Sequence, residues 1–283
     1  MAGAGLITLK RRMKSVLNTR KITKAMGLVA TSKLRKARLA LTKAQDYNSK
    51  YSAIFEEVLN NFDEKSIYTA NNGSSKKLYV VFTSESGLCG GYNVSVVSKT
   101  VESAGKDKEN TRILVVGQKG RGYFNRLRYE TIAEYVEVPD IPTVKEADTI
   151  ARHIFSIFKK GEVGEVYLVY TKFVSSVKQD VEVEKLLPVS RAESKGNNEN
   201  ISFEPSVSEI FNYIVEEYIK QKLYSNLTNA KSSEHASRMN AMDGATKNAN
   251  ELLDKLNLKY NRLRQSSITQ EISEIVGGAE AQR

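Results

Sequence analysis

Prolines and cysteines are scarce in this sequence, and their scarcity constrains the fold. Four prolines occur in 283 residues, and all of them lie between residues 139 and 205. Because proline breaks helices, its absence elsewhere leaves both ends of the chain free to form long helices. Cys89 is the one cysteine, so no disulfide can form within the chain, and a reducing compartment is expected.

Long hydrophobic runs are missing as well. The longest apolar stretches are far shorter than the roughly 20 residues that a membrane-spanning helix needs. The N-terminus has no apolar segment of the kind found in signal peptides. With 40% hydrophobic residues the chain can still build a core, so we expect a soluble protein that is not exported.

Motifs of common catalytic sites are also absent from the sequence. There is no G-x-x-x-x-G-K-S/T phosphate-binding loop. The two histidines, His153 and His235, lie on separate helical patterns without cysteines nearby, which argues against a zinc site or a Cys–His nucleophile. We therefore predict no catalytic residue, no metal site and no bound cofactor.

The C-terminal stretch from Ser206 to Val276 is typical of one very long helix. The one glycine within it is Gly244, which costs roughly 1 kcal/mol relative to alanine. A helix of about 70 residues is about 105 Å long, more than a globular domain of this size can bury. Apolar side chains recur seven residues apart, with others three residues later, which predicts one strand of a coiled coil. They are Met242, Ala245, Ala249, Leu252, Leu256 and Leu263.

The N-terminal stretch from Gly5 to about Phe62 has the pattern of a second long helix. Its apolar or small residues are also seven apart, and neighbouring methionines and leucines widen the stripe. These positions are Leu9, Val16, Thr23, Ala30, Ala37, Ala44 and Tyr51, with Met13, Met26, Leu34 and Leu41 beside them. Since one domain separates the two helices in the chain, we predict that they pair antiparallel.

The N-terminal helix carries charge of one sign. No Asp or Glu precedes Asp46, and the whole chain has a formal net charge of +10. The cations of this segment are Lys10, Arg11, Arg12, Lys14, Arg20, Lys21, Lys24, Lys33, Arg35, Lys36, Arg38 and Lys43. Because solvated helix faces usually mix both signs, we interpret this surface as a basic face that binds an anionic partner.

The middle of the chain alternates short apolar runs with helical patterns, which predicts βαβ units and a mostly parallel sheet. Strands are predicted at 78–83, 113–116 and 166–170, with an edge strand around Val181, Val183 and Leu186. Helices are predicted at 92–104, 119–128 and 144–159, and loops at 71–75 and 191–200.

The predicted fold class is therefore α/β, with a long antiparallel coiled coil of N- and C-terminal helices and an inserted Rossmann-like α/β domain. The predicted domains are an N-terminal coiled-coil helix at 1–65, the α/β domain at 76–204 and a C-terminal coiled-coil helix at 206–283.

Two glycine-rich turns follow predicted strands, at 86–91 and 117–122. The second lies between a strand and a helix, as a dinucleotide-binding fingerprint does, but its spacing is G-x-x-G-x-G and not G-x-G-x-x-G. We interpret it as a tight turn in which glycine lets the helix pack close to the strand. Cys89 is interpreted as a small residue in a crowded turn.

Four segments together resemble the gamma subunit of the F-type ATP synthase, in the order of that family. Residues 268–279 (ITQEISEIVGGA) are similar to the family signature, and residues 18–37 to its first helix. Residues 83–93 (TSESGLCGGYN) resemble its central turn, and residues 237–242 (SRMNAM) its second helix. Gly27 departs from the family pattern, in which a longer side chain is usual.

The resemblance implies a rotor. In this family the two long helices form an asymmetric coiled coil inside a ring of alternating alpha and beta subunits, and the α/β domain lies against the epsilon subunit and the c-subunit ring. Ion flow turns the c ring and the shaft, which drives the catalytic beta sites through successive conformations. The chain would be a non-catalytic subunit, bound to the cytoplasmic face of a bacterial cell membrane through the complex alone.

The resemblance also assigns site residues by position. Contacts with a beta subunit fall to Met26, Arg238, Arg264, Gln265, Thr269 and Glu271. Beyond Gln265, the apolar residues Ile268, Ile272, Ile275 and Val276 would turn in a largely apolar collar. The turn made of Gly87, Leu88, Cys89, Gly90, Gly91 and Tyr92 would face the c-ring side.

Two other functions fit part of the sequence. A coiled-coil nucleic-acid-binding protein would explain the basic helix, but aromatic stacking positions among the cations are missing. A nucleotide-binding oxidoreductase would explain the βαβ units, but it leaves both long helices without a role and needs a better glycine fingerprint. We therefore expect no nucleic-acid partner.

Overall fold

The computed structural model describes residues 2–62, 64–70, 72–190, 204 and 206–280. Its elements in chain order are α1 (Ala2–Asn60), β1 (Lys77–Phe82), α2 (Tyr92–Ala104), β2 (Thr111–Val116), α3 (Gln118–Leu127), β3 (Glu130–Tyr135), α4 (Val144–Lys159), β4 (Glu165–Phe173), β5 (Gln179–Leu187) and α5 (Val207–Glu280). Both long helices and all three shorter ones are confirmed within a few residues. The loop predicted at 191–200 lies outside the described residues, as does Asn71 of the loop at 71–75.

A five-stranded sheet in the order β3-β2-β1-β4-β5 forms the middle of the chain. β1 pairs parallel with β2 and β4, and β2 pairs parallel with β3. β5 pairs antiparallel with β4 and lies at one edge. The predicted mostly parallel sheet, its edge strand and the α/β fold class are confirmed.

β3 was not predicted from the sequence. It lies at the other edge of the sheet, and most of its side chains are half exposed. An edge strand of this kind needs no continuous apolar run and can carry charge. Glu130 and Glu134 form ion pairs with Arg112 and Arg121, each at 3.0 Å, and these charges hid the strand from a search for apolar runs.

Apolar layers cover both faces of the sheet. Leu78 and Phe82 of β1 belong to a core with α4, the end of α1 and the beginning of α5. Tyr79 and Val81 of the same strand belong to a second core with α2 and α3. Because β1 is buried on both faces, its sequence is a continuous apolar run and does not alternate.

The chain divides into two compact units, residues 30–238 and residues 1–29 with 239–283. In the unit of residues 30–238, the end of α1 packs against the beginning of α5. The rings of Phe55 and Tyr218 stack with 3.9 Å between their centroids, and those of Phe62 and Phe211 with 3.6 Å. From the first contact to the second, the residue number increases on α1 and decreases on α5. The two helices are therefore antiparallel here, as predicted.

The unit of residues 1–29 and 239–283 is itself an antiparallel helix pair. The hydroxyl oxygens of Thr23 and Thr246 are 2.8 Å apart, and Arg20 Nη1 donates to Asn250 Oδ1 at 3.2 Å. A Cβ built on Gly27 would lie 3.5 Å from Met242 Cβ. The small residue therefore allows the helices to approach closely.

The predicted apolar stripes are confirmed by burial along most of their length. On α1, Leu9, Thr23, Ala30, Ala37 and Ala44 are buried, and Val16 and Tyr51 are half-buried. On α5, Met242, Ala249 and Leu256 are buried. Leu263, however, is 38% exposed. Because Thr23 faces Thr246 in the antiparallel pair, residue 263 lies opposite residue 6. Residue 6 is in the first turns of α1, so α1 covers little of α5 beyond this point.

The glycine-rich turn at 117–122 is a tight strand-to-helix turn, which confirms its structural interpretation. Gly117 has a φ of 100°, and a Cβ there would lie 2.2 Å from the carbonyl oxygen of Thr83. A Cβ on Gly120 would lie 2.6 Å from Val115 Cγ1 and 2.7 Å from Thr83 Oγ1. Both glycines are therefore needed for α3 to pack against the strands.

We predict opposite effects of alanine at the two glycines inside α3. Gly120→Ala should lower the free energy of unfolding by about 1–3 kcal/mol, because the new methyl group overpacks the contact with Val115 and Thr83. Gly122→Ala is the matched control: nothing lies within 4 Å of its Cβ position, so it should raise stability by about 0.5–1 kcal/mol. Denaturant unfolding of both variants checks the pair, and equal effects would contradict the packing.

Candidate functional surfaces

The cations of α1 form an exposed basic face. Eleven of the twelve that the sequence analysis singled out are exposed, and Arg20 is half-buried. Among the described residues, Lys33 is the one of these twelve with an ion-pair partner, Asp140 at 2.8 Å. Arg38 lies over the ring of Phe173 at 5.4 Å. Most of the basic charge is thus left without internal compensation, which suits an anionic partner.

A groove lies within the unit of residues 1–29 and 239–283, where the first turns of α1 face α5. Its volume is about 690 Å³. It is lined by four apolar side chains and four cations, together with Asp254, Asn250 and Asn257. Its lining includes Ile7, Met13, Leu17 and Leu253 with Lys10, Arg11, Lys14 and Arg20.

The end of α5 is exposed, and most of the predicted contact residues lie there. Arg264, Gln265, Thr269 and Glu271 are all exposed, within two turns of one another. Thr269 Oγ1 donates to the carbonyl oxygen of Gln265 at 3.0 Å. The apolar residues that follow are exposed too: Ile268 at 47%, Ile272 at 56%, Ile275 at 72% and Val276 at 55%. This stretch has the composition of a surface that a partner covers.

Met26 does not lie with the residues at the end of α5. It is half-buried on α1. In the antiparallel pair, where Thr23 faces Thr246, Met26 lies opposite residue 243 of α5. About 20 residues of helix separate residue 243 from Arg264, a distance of roughly 30 Å along the helix. The predicted contact residues therefore form no single site.

The turn from Gly87 to Tyr92 is held by an internal polar network. Asn93 Oδ1 accepts from the backbone N–H of Ser84 at 2.9 Å, and Asn93 Nδ2 donates to Ser84 Oγ at 2.7 Å. Cys89 is buried beneath it, as its interpretation as a small residue in a crowded turn requires. Leu88 has a φ of 62° and is 57% exposed, so the turn presents an apolar side chain from a strained backbone position.

Arg238 is buried and bonded within the chain. Its Nη2 donates to the carbonyl oxygen and to Oγ of Ser86, both at 3.0 Å, and its Nε donates to the carbonyl oxygen of Gly87 at 3.2 Å. Glu234 Oε1 lies 2.8 Å from Nη2. The guanidinium thus binds α5 to the turn. The spacing of four residues between Glu234 and Arg238 predicts their ion pair on one helix face, but it does not predict the bonds to Ser86 and Gly87.

His235 extends this network to the segment between β3 and α4. Arg238 Nη1 lies 3.2 Å from His235 Nδ1, and His235 Nε2 lies 3.1 Å from Asp140 Oδ1. Since a guanidinium can only donate, Nδ1 accepts and Nε2 carries the proton that faces Asp140. Burial lowers the pKa of His235; the carboxylates of Glu234 and Asp140 oppose this lowering, and the charges of Arg238 and Lys231 add to it. Sequence reasoning missed this cluster because its members are distant in the chain.

The amides at the start of α3 donate within the protein. The backbone N–H of Gly117 donates to the Tyr135 carbonyl oxygen at 2.7 Å, and that of Lys119 to the Ser84 carbonyl oxygen at 3.0 Å. The N–H of Gln118 donates to Glu85 Oε2 at 3.3 Å, and that of Gly120 to Thr83 Oγ1 at 3.0 Å. In dinucleotide-binding proteins such amides donate to a pyrophosphate. Here they donate to oxygens of the protein itself.

Comparison with known proteins assigns the chain to a family. The sequence model of a family described as ATP synthase matches residues 5–282. A Clostridium botulinum (strain Hall) protein named ATP synthase gamma chain is 54% identical over 283 residues, which is 100% of each chain. The chain belongs to the ATP synthase gamma-chain family.

Solved structures agree with this family. The chain resembles one in a structure of the Tetrahymena thermophila mitochondrial ATP synthase central stalk and c ring, with a TM-score of 0.61 and 26% identity over 79% of this chain and 99% of that one. A chain of the Euglena gracilis mitochondrial ATP synthase shares the fold, with a TM-score of 0.76 and 17% identity over 99% of this chain and 95% of that one.

The described part of this gamma-chain family member offers no span and no metal site. Across residues 2–62, 64–70, 72–190, 204 and 206–280, no helix combines the length and apolar character needed to cross a bilayer. Over the same ranges, no three His, Cys, Asp or Glu side chains are grouped so that they could hold a metal ion.

We predict that His235 makes stability depend on pH. Because its pKa is lowered from 6.5 in the folded chain, the unfolded chain binds a proton first as pH falls. The contribution of neutral His235 is thus fully present above about pH 6.5 and is lost below it, by at most about 1.4 kcal/mol per pH unit. His235→Gln keeps an amide donor but does not titrate.

Denaturant unfolding at pH 7.5 and pH 5.5 checks this expectation. The wild-type chain should lose more free energy of unfolding between the two values than His235→Gln does. Equal losses in both proteins would show that His235 does not titrate in this range.

Proposed function

We propose that the chain is the central rotor stalk subunit of an F-type ATP synthase. In this role it couples ion flow through the c ring to ATP synthesis or hydrolysis in the beta subunits by rotation. The observation that carries the proposal is the likeness to gamma chains at 54% identity over the full length of both proteins. The two paired helices and the inserted α/β unit supply the parts that such a rotor needs.

The mechanism follows from the unequal sides of the helix pair. One side carries the cations of α1, while the exposed side of α5 that lies beside them includes Asp243, Glu251 and Asp254. A rod with different sides presents a different surface to each surrounding site at each angle. A beta subunit that binds one side better in one conformation is shifted toward that conformation when that side arrives. Rotation thus changes the beta sites in sequence, through a coupling free energy between shaft and site.

The partners proposed for each surface follow from its chemistry. The basic face of α1 meets acidic loops of beta subunits, and Arg264, Gln265, Thr269 and Glu271 make polar contacts at the end of α5. Ile268, Ile272, Ile275 and Val276 turn in an apolar collar of the alpha–beta ring, where few directional bonds oppose rotation.

The α/β unit is proposed to bind the epsilon subunit and the c ring. That the turn from Gly87 to Tyr92 faces the c ring, and that Met26 and Arg238 contact a beta subunit, stay predictions. Arg238 already uses its guanidinium inside the chain, so a contact with beta would have to add to these bonds or replace them.

The chain is proposed to have no catalytic site of its own. Support comes from the amides of the 117–122 turn, which donate to protein oxygens, and from the missing phosphate-binding loop. ATP chemistry then belongs to the beta subunits. The complex holds the chain peripherally, at the cytoplasmic face of a bacterial membrane, with segments 1–65, 76–204 and 206–283 as coiled-coil helix, α/β domain and coiled-coil helix.

Reconstitution tests the proposed function. The purified chain should hydrolyse no ATP by itself, and it should raise and sustain the turnover of an alpha–beta mixture that lacks it. Excess duplex DNA at physiological ionic strength should not displace it, since apolar contacts that salt does not weaken also hold it. Intrinsic ATPase activity after stringent purification, or submicromolar DNA binding without subunit binding, would overturn the proposal.

The end of α5 supplies a sharper test. Alanine at both Arg264 and Gln265 should lower ATP-driven turnover and ion pumping while assembly survives. Each charge-assisted hydrogen bond that a partner desolvates is worth about 1.5–3 kcal/mol. Asn261→Ala with Arg262→Ala is the matched control, because it removes the same two side-chain types from exposed positions one turn earlier. Unchanged turnover and pumping in the first variant, or an equal loss in the control, would show that the pair has no special role.

A further inference from the structure

A continuous polar network joins both long helices to the strand ends of the sheet. Residues 136–143 connect β3 to α4, and we call them the strap. Asp140 of the strap lies 2.8 Å from Lys33 Nζ on α1 and 3.1 Å from His235 Nε2 on α5. One carboxylate therefore touches both helices.

The strap is also bound to the turn after β1. Glu85 Oε1 accepts from the backbone N–H of Val138 at 3.0 Å, and Glu85 Oε2 from the N–H of Gln118 at 3.3 Å. On α5, Arg238 binds the same turn through Ser86 and Gly87. The ends of β1, β2 and β3 are thus connected to one another and, through Arg238, to α5 by hydrogen bonds. Asp140 adds a half-exposed ion pair with Lys33 of α1 and a close contact with His235, whose Nε2 makes no hydrogen bond among the described residues.

Most of the charged groups on the α5 side are withdrawn from water. The exposed fraction of the side chain is 3% for Glu234, 1% for His235, 8% for Arg238 and 5% for Lys231. Burying ion pairs is rarely the best way to gain stability, and apolar residues of similar volume often do as well. Buried directional bonds do fix one relative position of the groups that they join, which apolar contacts define less sharply.

The position of the network along the chain fits a mechanical task. Lys33 lies four residues after Val29, and Arg238 is the last residue of the unit formed by 30–238. Beyond these residues each helix continues along the chain into 2–29 and 239–280. Elsewhere in the 30–238 unit, stacked rings such as Phe55–Tyr218 and Phe62–Phe211 pack the two helices together, and α5 also bonds to the sheet, as where the N–H of Phe173 donates to Asn229 Oδ1 at 2.8 Å. On α1, by contrast, Lys33–Asp140 is the one ion pair among the described residues that joins the helix to the α/β unit.

We infer that this network carries torque between the α/β unit and the two helices, with Asp140 as its central positioning residue. The inference rests on the proposed rotor function. When the α/β unit is driven by its partner and the helices are resisted by theirs, the load passes through the ion pair of Asp140 with Lys33, through its contact with His235 and through the hydrogen bonds of Arg238. Without Asp140 the helices follow the α/β unit less faithfully under load.

Asp140→Ala in the complete membrane-bound complex tests the inference. ATP hydrolysis and ATP-driven ion pumping against a gradient are measured on the same preparation, and their ratio is the readout. We expect hydrolysis to be retained and pumping per ATP to fall at least twofold. Asp180→Ala is the matched control, because Asp180 has a similar exposure and its ion pair with Lys178 lies within the β4–β5 hairpin. It should leave the ratio unchanged.

A charge swap separates torque transfer from mere loss of structure. Lys33→Asp alone should lower pumping per ATP, and Lys33→Asp with Asp140→Lys should restore part of it, since the pair between α1 and the strap is remade with opposite polarity while the contact with His235 stays lost. If Asp140→Ala does not assemble, Asp140→Asn replaces it, because the amide keeps the shape but loses the charge; it should give an intermediate ratio.

The outcomes distinguish the two proposals. If the complex with the wild-type chain neither hydrolyses ATP nor pumps, the rotor function fails. If that complex pumps and Asp140→Ala keeps its ratio, or loses no more than Asp180→Ala, the torque-bearing network is refuted while the rotor function stands. A double variant no better than Lys33→Asp refutes it as well.

Discussion

The rest of the structure depends on the mutual burial of two apolar stripes, one on α1 and one on α5. Neither helix could bury its stripe alone, and helices of this length gain most of their stability from such packing. Pairing the first helix with the last also dictates where the α/β unit can be inserted. The chain must leave α1 and return to α5 at nearly the same place, and the stacked rings of Phe62 and Phe211 mark that place. The α/β unit is therefore an insertion whose two ends lie close together at the helix pair.

In the proposed rotor, function arises from differences between the exposed surfaces of the helix pair and not from a reactive group. The long helices bury apolar residues between them, while their exposed sides differ in charge: α1 is basic up to residue 43, and α5 carries acidic residues such as Asp243 and Asp254. The inserted unit, by contrast, uses its polar groups internally: the amides of the 117–122 turn, the guanidinium of Arg238 and the ring of His235 all find partners within the chain. One part of the protein is arranged to meet partners, and the other to keep its own geometry.

The features that sequence predicted are those written in periodicity. The heptad spacing of Ala30, Ala37 and Ala44 indicates a buried face, because the helical period converts spacing into a face. The continuous apolar runs of β1, β2 and β4 indicate strands that are buried on both faces. β3 escaped because its edge position lets charges interrupt the pattern. The network of Lys33, Asp140 and His235 escaped for another reason: its members come from three elements, and only the assembled fold brings them together. The exposure of Leu263 depends on where the facing helix α1 begins, and the spacing of apolar residues on α5 alone does not predict that point.

The uncovered end of α5 has a consequence for the life of the protein before it meets its partners. Apart from Ser267, residues 264–279 are exposed, and they include four large aliphatic side chains. A single helix of this length is marginal in water, so the segment frays in the free chain. Frayed, apolar chain ends are where proteases cut and where molecules aggregate. A partner that covers this segment therefore removes both a site of cleavage and a surface that favours aggregation.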